Sequence, residues 1–202
     1  RVNVTVTDSW DKIFITNNPW QSMETEIRTI KSLSESEINT MNIWMKKEFG
    51  KKYMRDFKKY YSSLDARCFF IKNSNEIIAF GIINPVVADY LGEKYQFFGI
   101  GDLLTIRRGE GYGRVIMKAM IDYLKNTGKT GLGFCAKKNT LFYKKVGLEV
   151  KEDFMKRFRY KDTKTKKVSP EANGDGVFYA GDNFIKKILK TNELVYLDTK
   201  LW

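Results

Sequence analysis

The sequence of 202 residues contains no histidine and only two cysteines. These absences exclude a zinc site built from protein ligands alone, and they exclude a Ser-His or Cys-His catalytic dyad. Cys68 and Cys135 both lie in apolar, strand-like stretches, where a free cysteine behaves as a small hydrophobic residue, so no disulfide is expected. Any chemistry must therefore rely on carboxylates, tyrosine, lysine or backbone amides.

Long apolar stretches are also missing. The longest, IIAFGII at 77–83, falls far below the ~20 residues that a membrane-spanning helix needs. The N-terminus alternates apolar and polar side chains and contains no continuous apolar stretch of the secretory type. The sequence therefore predicts no membrane segment and a cytoplasmic protein.

What is present is a large apolar fraction and a strong positive charge. Hydrophobic residues make up 43% of the chain, which is enough to build a core, and the length fits one domain. The net charge is +12, with seven basic against two acidic residues at 46–59 and twelve against four at 137–167. Such patches fit nucleic acid, a membrane surface or a phosphate-bearing ligand, and they also fit a solvated lysine-rich surface.

Periodicity along the chain predicts an α/β fold. An alternating segment at 2–7 followed by polar residues indicates that 1–26 form an N-terminal extension. Strands are expected at 27–33, 66–72, 77–84, 95–105, 131–136, 148–160, 177–180 and the C-terminus, and helices after Ser34, within 53–64, at 114–126 and at 139–146. Hairpins followed by a strand-helix-strand order indicate a mixed sheet with helices on both faces.

The first helix has a clear starting signal. Ser34 and Glu37 have the spacing of a capping box, and apolar residues recur behind them at helical intervals. The residues expected to face the core are Ile38, Met41, Met45 and Phe49. The large side chains of 53–64 are interpreted as core residues rather than cofactor contacts; they are Tyr53, Phe57, Tyr60, Tyr61 and Leu64.

A glycine-rich loop, RGEGYG at 108–113, joins a predicted strand to a predicted helix. Glycine allows a tight turn and a close approach to a ligand, and the unpaired N–H groups at a helix start attract an anion. The loop therefore predicts a pyrophosphate site, with a simple tight turn as the alternative. It matches neither the P-loop nor the dinucleotide fingerprint, which disfavours a kinase or a dehydrogenase.

This loop resembles the signature of the GNAT superfamily of acyl-CoA-dependent N-acyltransferases, R/Q-x-x-G-x-G/A between a strand and a helix. Arg108, Gly111 and Gly113 match it. Downstream, Tyr143 and Gly147 in NTLFYKKVGLEV match the family's short helix with a tyrosine and a following glycine turn. The strand end at 100–104 is similar to the family's strand end with an acid and a leucine, and the resemblance covers roughly 27–160.

The resemblance implies a GNAT-like α/β fold with a mixed, mostly antiparallel central sheet, helices on both faces, and one acyltransferase domain at 27–202. It implies acetyl-CoA as cosubstrate, no metal, and direct attack of a primary amine on the thioester. Tyr143 would be the general acid that protonates the CoA thiolate, and Asp102 is the candidate general base. The residues implied to bind the cofactor are Leu104, Thr105, Ile106, Arg107, Arg108, Gly109, Gly111, Tyr112, Gly113 and Arg114.

The amine acceptor is less defined by the sequence. The tail is faintly similar to aminoglycoside 2'-N-acetyltransferases, which also end in tryptophan as Trp202 does here, but Lys200 stands where those enzymes carry an acid. The positive charge also argues against a polycationic acceptor. The alternatives are a non-catalytic acyl-CoA sensor and a basic nucleic-acid-binding module, of which the latter is disfavoured as no RNA-binding signature is visible. A homodimer is compatible with the resemblance.

Overall fold

The computed structural model describes residues 12–13, 25–73, 76–162 and 164–199. The strand predicted at 2–7 and the tail residues Lys200 and Trp202 lie outside these ranges. In the part of the chain that is described, no helix is both long enough and apolar enough to cross a membrane.

The secondary structure alternates strands and helices along the chain. The strands are β1 (Lys12–Ile13), β2 (Thr25–Thr29), β3 (Arg67–Asn73), β4 (Glu76–Tyr90), β5 (Glu93–Thr105), β6 (Gly131–Cys135), β7 (Glu149–Lys151), β8 (Phe158–Tyr160), β9 (Asp175–Tyr179) and β10 (Val195–Leu197). The α-helices are α1 (Glu35–Phe49), α2 (Phe57–Tyr60), α3 (Tyr112–Thr127), α4 (Thr140–Lys145) and α5 (Phe184–Leu189).

These elements form two compact units. One comprises the chain up to Asn84 together with Asp102–Met120, and the other comprises Pro85–Gly101 together with the chain from Ile121 onward. The strands β4 and β5 and the helix α3 contribute residues to both. The expected boundary between an extension at 1–26 and a domain at 27–202 stays a prediction.

In the first unit, β1, β2, β3 and β4 are antiparallel neighbours in that order. Lys12 pairs with Glu26, so part of the expected N-terminal extension adds a short strand beside β2. The hairpin predicted from 66–72 and 77–84 is confirmed, with Phe70 opposite Phe80.

Helix α1 begins where the capping box predicts. The Ser34 hydroxyl accepts the Glu37 N–H at 3.2 Å, and the Glu37 carboxylate accepts the Ser34 N–H at 2.7 Å. Ile38, Met41 and Met45 are buried as predicted. The prediction for Phe49 is wrong: it lies in the last turn and is exposed, and its ring packs on Tyr53 at 5.6 Å.

Strand β4 has a helix on each of its faces. Phe80 and Ile82 belong to the same buried cluster as Met41 of α1. Side chains alternate along a strand, so Gly81 faces the other way, and a Cβ there would lie 2.8 Å from the Met120 Cε of α3. The prediction of helices on both faces is therefore confirmed, and Gly81 allows α3 to approach β4 closely.

In the second unit, β5 runs parallel to β6, with Phe98 opposite Gly131. Strand β6 is antiparallel to β9, which is antiparallel to β7. Strand β10 is antiparallel to β4 and parallel to β8. Phe184 of α5 stacks on Tyr95 and Phe97 of β5, with ring centroids 5.1 and 5.2 Å apart. Most strand pairings among the described residues are antiparallel, which confirms the predicted mixed, mostly antiparallel sheet.

Three segments differ from their predicted secondary structure. The first strand ends at Thr29 and is followed by a 3-10 turn at Ile30–Ser32. The helix expected within 53–64 is a 3-10 turn at Lys51–Tyr53 followed by the single turn of α2. The strand expected at 148–160 is broken into β7 and β8, because Asp153 adopts a left-handed φ of 55° between them.

Candidate active site

The loop between β5 and α3 is open and depends on glycine. Residues 106–111 are exposed, and Gly109 and Gly111 have φ values of 85° and 82°, which other residues adopt only with strain. The Val115 N–H donates to the Gly111 carbonyl at 3.2 Å. The N–H groups of Tyr112 and Gly113 come before this bond and have no acceptor within the helix, so they face outward at the positive end of α3.

Some groups of the predicted cofactor loop already have partners within the protein. The Arg114 N–H donates to the Gly111 carbonyl at 2.9 Å, and Arg108 forms an ion pair with Glu48 at the end of α1. Tyr112 is buried, and its hydrogen bond with Glu110 raises the pKa of the phenol. An anion at this loop would therefore meet the amides of Tyr112 and Gly113 first, and Arg108 after exchange with Glu48.

The backbone N–H groups at the end of β5 point alternately toward β4 and toward the opposite edge of the strand. The Ile106 N–H donates to the Ile78 carbonyl of β4 at 3.0 Å. Successive N–H groups of an extended strand point to opposite edges, so the Thr105 N–H points away from β4. The Leu104 side chain is buried in the core of the first unit. Among the three residues expected to pair with the pantetheine arm, Thr105 is the one whose N–H is directed to the other edge.

Asp102 combines an unusual backbone with a buried carboxylate. Its φ is 48°, a left-handed value that aspartate tolerates better than most residues. The side chain is 6% exposed, the Tyr61 hydroxyl donates to Oδ2 at 2.6 Å, and Arg55 Nη1 lies 3.4 Å from the same oxygen. Burial raises the pKa of Asp102, whereas the charge of Arg55 and the hydrogen bond from Tyr61 lower it; the net shift is upward.

Arg55 is held from several sides. Asn42 of α1 accepts the Arg55 N–H and donates to the Arg55 carbonyl, both at 2.9 Å. The guanidinium lies 4.4 Å from the ring centroid of Tyr60 and donates to the Tyr61 hydroxyl at 3.1 Å. Burial alone would lower the pKa of Arg55, but the charge of Asp102 raises it. The guanidinium therefore stays charged next to the carboxylate.

Arg55 and Tyr61 both contact the candidate base Asp102, and the sequence analysis missed both contacts. The expectation that Tyr61 is a core residue is confirmed by its burial, but its hydroxyl binds a carboxylate 41 positions away. Tyr60, expected in the core, is partly exposed and covers the guanidinium of Arg55. The only local signal was a single arginine among lysines, close to two adjacent tyrosines.

Tyr143 is fixed by the way in which α4 ends. The Leu148 N–H donates to the Tyr143 carbonyl and the Gly147 N–H to the Lys144 carbonyl, both at 3.1 Å. Gly147 has a φ of 96°, so the two bonds form a Schellman motif that requires glycine at this position. The spacing of Tyr143 and Gly147 therefore has a local structural reason.

The surroundings of Tyr143 keep its phenol neutral. Burial, together with the nearby Cys135 thiol, raises the pKa of Tyr143 to about 12. Burial and the Asp175 carboxylate raise the pKa of Cys135 to about 11. Cys135 and Asp175 are direct partners across β6 and β9, and both cysteines of the chain are free, as expected. At neutral pH, Tyr143 can therefore donate a proton.

Residues 30–148 match the family model described as the acetyltransferase (GNAT) family. The chain belongs to the GNAT family. No curated protein matches this GNAT chain by sequence.

Solved structures with the same fold share little sequence with this GNAT protein. A GNAT family N-acetyltransferase (YhbS) from Escherichia coli, solved in complex with CoA, matches with a TM-score of 0.55 and 15% identity over 90% of this chain and 92% of that one. An acyl-CoA N-acyltransferase from Pseudomonas aeruginosa matches with a TM-score of 0.53 and 11% identity, over 77% and 99% of the two chains. ElaA from Escherichia coli gives a TM-score of 0.52 and 15% identity, over 77% and 98%.

The predicted site residues of this GNAT protein fall in both units. Asp102 and the cofactor residues at 104–114 belong to the first unit, and Tyr143 belongs to the second. Within the first unit, Arg55 contacts Asp102, and Glu48 contacts Arg108. The segment from the end of α1 to α2 therefore lies directly beside the end of β5 and the glycine loop.

Proposed function

We propose that this GNAT protein transfers an acetyl group from acetyl-CoA to a primary amine. The observation that carries the proposal is the glycine loop at the start of α3, where two left-handed glycines leave the amides of Tyr112 and Gly113 open to an anion. The diphosphate of CoA would bind there, with Arg107 or Arg108 adding charge-assisted hydrogen bonds.

The rest of the cofactor would extend from the loop along β5. The pantetheine arm would bind beside Leu104, Thr105 and Ile106 like an added strand, using the edge to which the Thr105 N–H points. A backbone N–H of this edge would then polarise the thioester carbonyl and stabilise the negative oxygen that forms during transfer.

The proposed reaction is direct attack of the amine on the thioester. The neutral amine nitrogen adds to the carbonyl carbon, and the C–S bond breaks as the carbonyl re-forms. Asp102 takes the proton that the amine must lose, through a water, because its side chain is only 6% exposed. Tyr143 donates its phenolic proton to the departing CoA thiolate.

Calorimetric titration with acetyl-CoA and with CoA tests the binding part of this proposal. We expect dissociation constants of about micromolar for the wild-type protein. Gly111→Trp should abolish the signal, because the ring would cover the open amides of the loop. If neither acetyl-CoA nor CoA binds to the wild-type protein, the proposed function is wrong.

Gly92→Trp is the matched control. Gly92 has the same φ of 82°, has open space around the position of a Cβ, and lies in the turn between β4 and β5. Both substitutions therefore place a large ring on an exposed left-handed turn, with a similar backbone strain. If Gly111→Trp leaves the affinity unchanged, the loop is only a structural turn. An equal loss of acetyl-CoA binding in both variants would mean that the strain of the substitution, and not its position in the loop, causes the loss.

Turnover separates an enzyme from a sensor. A screen of amines, scored by release of the CoA thiol, should find at least one acceptor. Binding of acetyl-CoA without thiol release for any amine would identify a non-catalytic acyl-CoA sensor. Binding of RNA or duplex DNA that weakens steeply with salt, without acetyl-CoA binding, would identify a nucleic-acid module.

A further inference from the structure

The segment from the end of α1 to α2 exposes a set of lysines that have no acidic partner in the part of the chain that the structure describes. The lysines Lys46, Lys47, Lys51, Lys52 and Lys59 are exposed, and within the described residues none of them forms an ion pair. The two acidic side chains of the same segment have other contacts. Glu48 pairs with Arg108, and Asp56 accepts the Lys59 N–H at the start of α2. The positive charge of this surface is therefore not neutralised within the described protein.

Large apolar side chains lie between these lysines. Phe49, Tyr53, Met54 and Tyr60 are each about two-fifths exposed, and Ile43 on α1 is 63% exposed. The Phe49 and Tyr53 rings pack on each other, and Lys52 lies 5.1 Å from the Tyr53 ring centroid. Exposed apolar patches rimmed by polar groups mark interaction sites more often than single exposed residues do. We call the exposed residues of 43–60 the lysine-aromatic surface.

Residues of this surface directly contact residues of the proposed acetyl-CoA site and the candidate base. Glu48, within the surface segment, pairs with Arg108 of the glycine loop. Arg55 contacts Asp102 of β5, and its backbone is bound by Asn42, the neighbour of Ile43. A partner that lies on the surface is therefore beside both the loop and the candidate base.

We propose that the lysine-aromatic surface binds an acidic polypeptide segment that presents the amine to be acetylated. The unpaired lysines complement aspartate and glutamate side chains, and the exposed rings and the Met54 thioether offer contacts for apolar ones. The surface lies beside the proposed acetyl-CoA site, where a primary amine must arrive. A polypeptide carries such an amine at its N-terminus and on lysine, whereas the phosphodiester backbone of a nucleic acid carries none, which favours a polypeptide. This inference rests on the proposed function for the choice of a polypeptide and for the fate of its amine, but the binding of an acidic chain does not depend on it.

Fluorescence anisotropy with a labelled peptide tests the binding. The probe is a short peptide that alternates Asp or Glu with Leu or Phe and has a free N-terminal α-amine. The control peptide carries Asn or Gln in place of the acids. We expect the acidic peptide to bind about tenfold more tightly at low salt, and the difference to shrink as salt screens the charges. Equal affinity of the two peptides would overturn the proposal.

Charge reversal locates the binding surface. The double variant Lys51→Glu, Lys52→Glu should lose the preference for the acidic peptide. The control variant Lys151→Glu, Lys186→Glu changes the net charge equally at two exposed lysines of the second unit and should keep it. Equal loss in both variants would mean that only net charge matters, and it would overturn the assignment. Circular dichroism melting checks that each variant is folded.

Competition and turnover give independent outcomes. A single-stranded RNA that displaces the peptide more strongly than unlabelled acidic peptide would reassign the surface to nucleic acid and overturn the proposal. Peptide binding is measured without acetyl-CoA, so a peptide that binds but is never acetylated supports the surface and contradicts the proposed function. Rapid acetylation of amines without any preference for acidic peptides supports the function and overturns the surface.

Discussion

The hydroxyl of Tyr143 is the group from which we expect the largest single effect on the rate. Tyr143→Phe removes the proton donor and keeps the ring, so acetyl-CoA affinity and thermal stability should stay close to wild type. General acid catalysis is typically worth about 10²–10⁴-fold, and we expect kcat to fall within this range. A variant within about twofold of wild type would assign Tyr143 to packing alone, provided that product release does not limit the rate.

Asp102 provides a second test at the residue scale, and its signature is the pH dependence. Burial raises the pKa of Asp102 above its ordinary value of 3.8. As the pH is lowered, the rate should therefore begin to fall at a pH above 3.8. Asp102→Asn should lower kcat by about 10²–10⁴-fold and remove this acidic limb. A variant that is slow but keeps the limb would exclude Asp102 as the base.

The raised pKa of Asp102 also predicts how the stability difference between the wild type and Asp102→Asn depends on pH. A carboxyl whose pKa is raised by folding contributes its stabilisation fully below the ordinary value and loses it as the pH rises through the folded-state value. The stability of the wild type relative to Asp102→Asn should therefore decrease between acidic and neutral pH. Urea unfolding at several pH values supplies this control, and an opposite trend would contradict the upward shift.

Single residues differed in how far the sequence revealed them. Tyr143 and Gly147 were matched through the resemblance to the GNAT family, and their spacing also has a local reason, because both take part in the ending of α4. Asp102 could be identified as a strand-end acid, but not its burial. The contacts of Arg55 and Tyr61 depend on pairing across the fold of the first unit, and spacing along the chain carries no information on such pairs.

Helix α1 is stabilised at its start by more than the capping box. The Glu37 carboxylate also binds Lys72 of β3 at 2.7 Å and Arg28 of β2 at 2.8 Å. Burial alone would raise the pKa of Glu37, but the hydrogen bonds from Lys72 and from the Ser34 backbone lower it to about 2. The helix start is thus tied to two strands by one charged side chain.

Glu37→Gln should lower the free energy of unfolding by about 1–3 kcal/mol at neutral pH. The sign follows from the lowered pKa: the contribution is present above the ordinary value of 4.5 and is lost as the pH falls toward about 2. Urea unfolding should therefore show a difference between variant and wild type that disappears at low pH. Glu35→Gln, at an 80% exposed side chain, should cost about 0.5 kcal/mol or less.

Elements were predictable where local signals agreed with the tertiary structure. The capping box, the hairpin of β3 and β4, and the amphipathic α3 all satisfied this condition. The helix expected within 53–64 failed because Asn42 takes both backbone hydrogen-bonding groups of Arg55, which removes that residue from a helical ladder. The aromatic spacing there reflects separate contacts to the core, to Arg55 and to the surface, not one helix face.

At the scale of the whole molecule, charge imbalance should control acid stability. Protonation of the 24 carboxylates leaves 36 basic side chains unopposed, against a net charge of +12 at pH 7. Self-repulsion then destabilises the compact state. Raising the ionic strength from about 0.01 M to about 0.15 M shortens the Debye length from about 30 Å to about 8 Å and should raise the Tm at about pH 3 by several degrees.

The sequence pI of about 9.5 gives the control condition for this experiment. Near that pH the net charge approaches zero, so the same change in ionic strength should shift the Tm much less. A salt effect of equal size at both pH values would mean that specific ion pairs, not net repulsion, dominate the response.

The two hydrogen bonds between Asn42 and the backbone of Arg55 have a practical value for protein engineering. They hold the Arg55 backbone beside α1 without any contact from the side chains at 51–53, 58 and 59. Those positions can therefore be randomised while Asn42, Arg55, Tyr60 and Tyr61 are kept, without disturbing the strand that is proposed to hold the cofactor. A library built in this way would let selection redirect the enzyme toward new amines while its donor half stays unchanged.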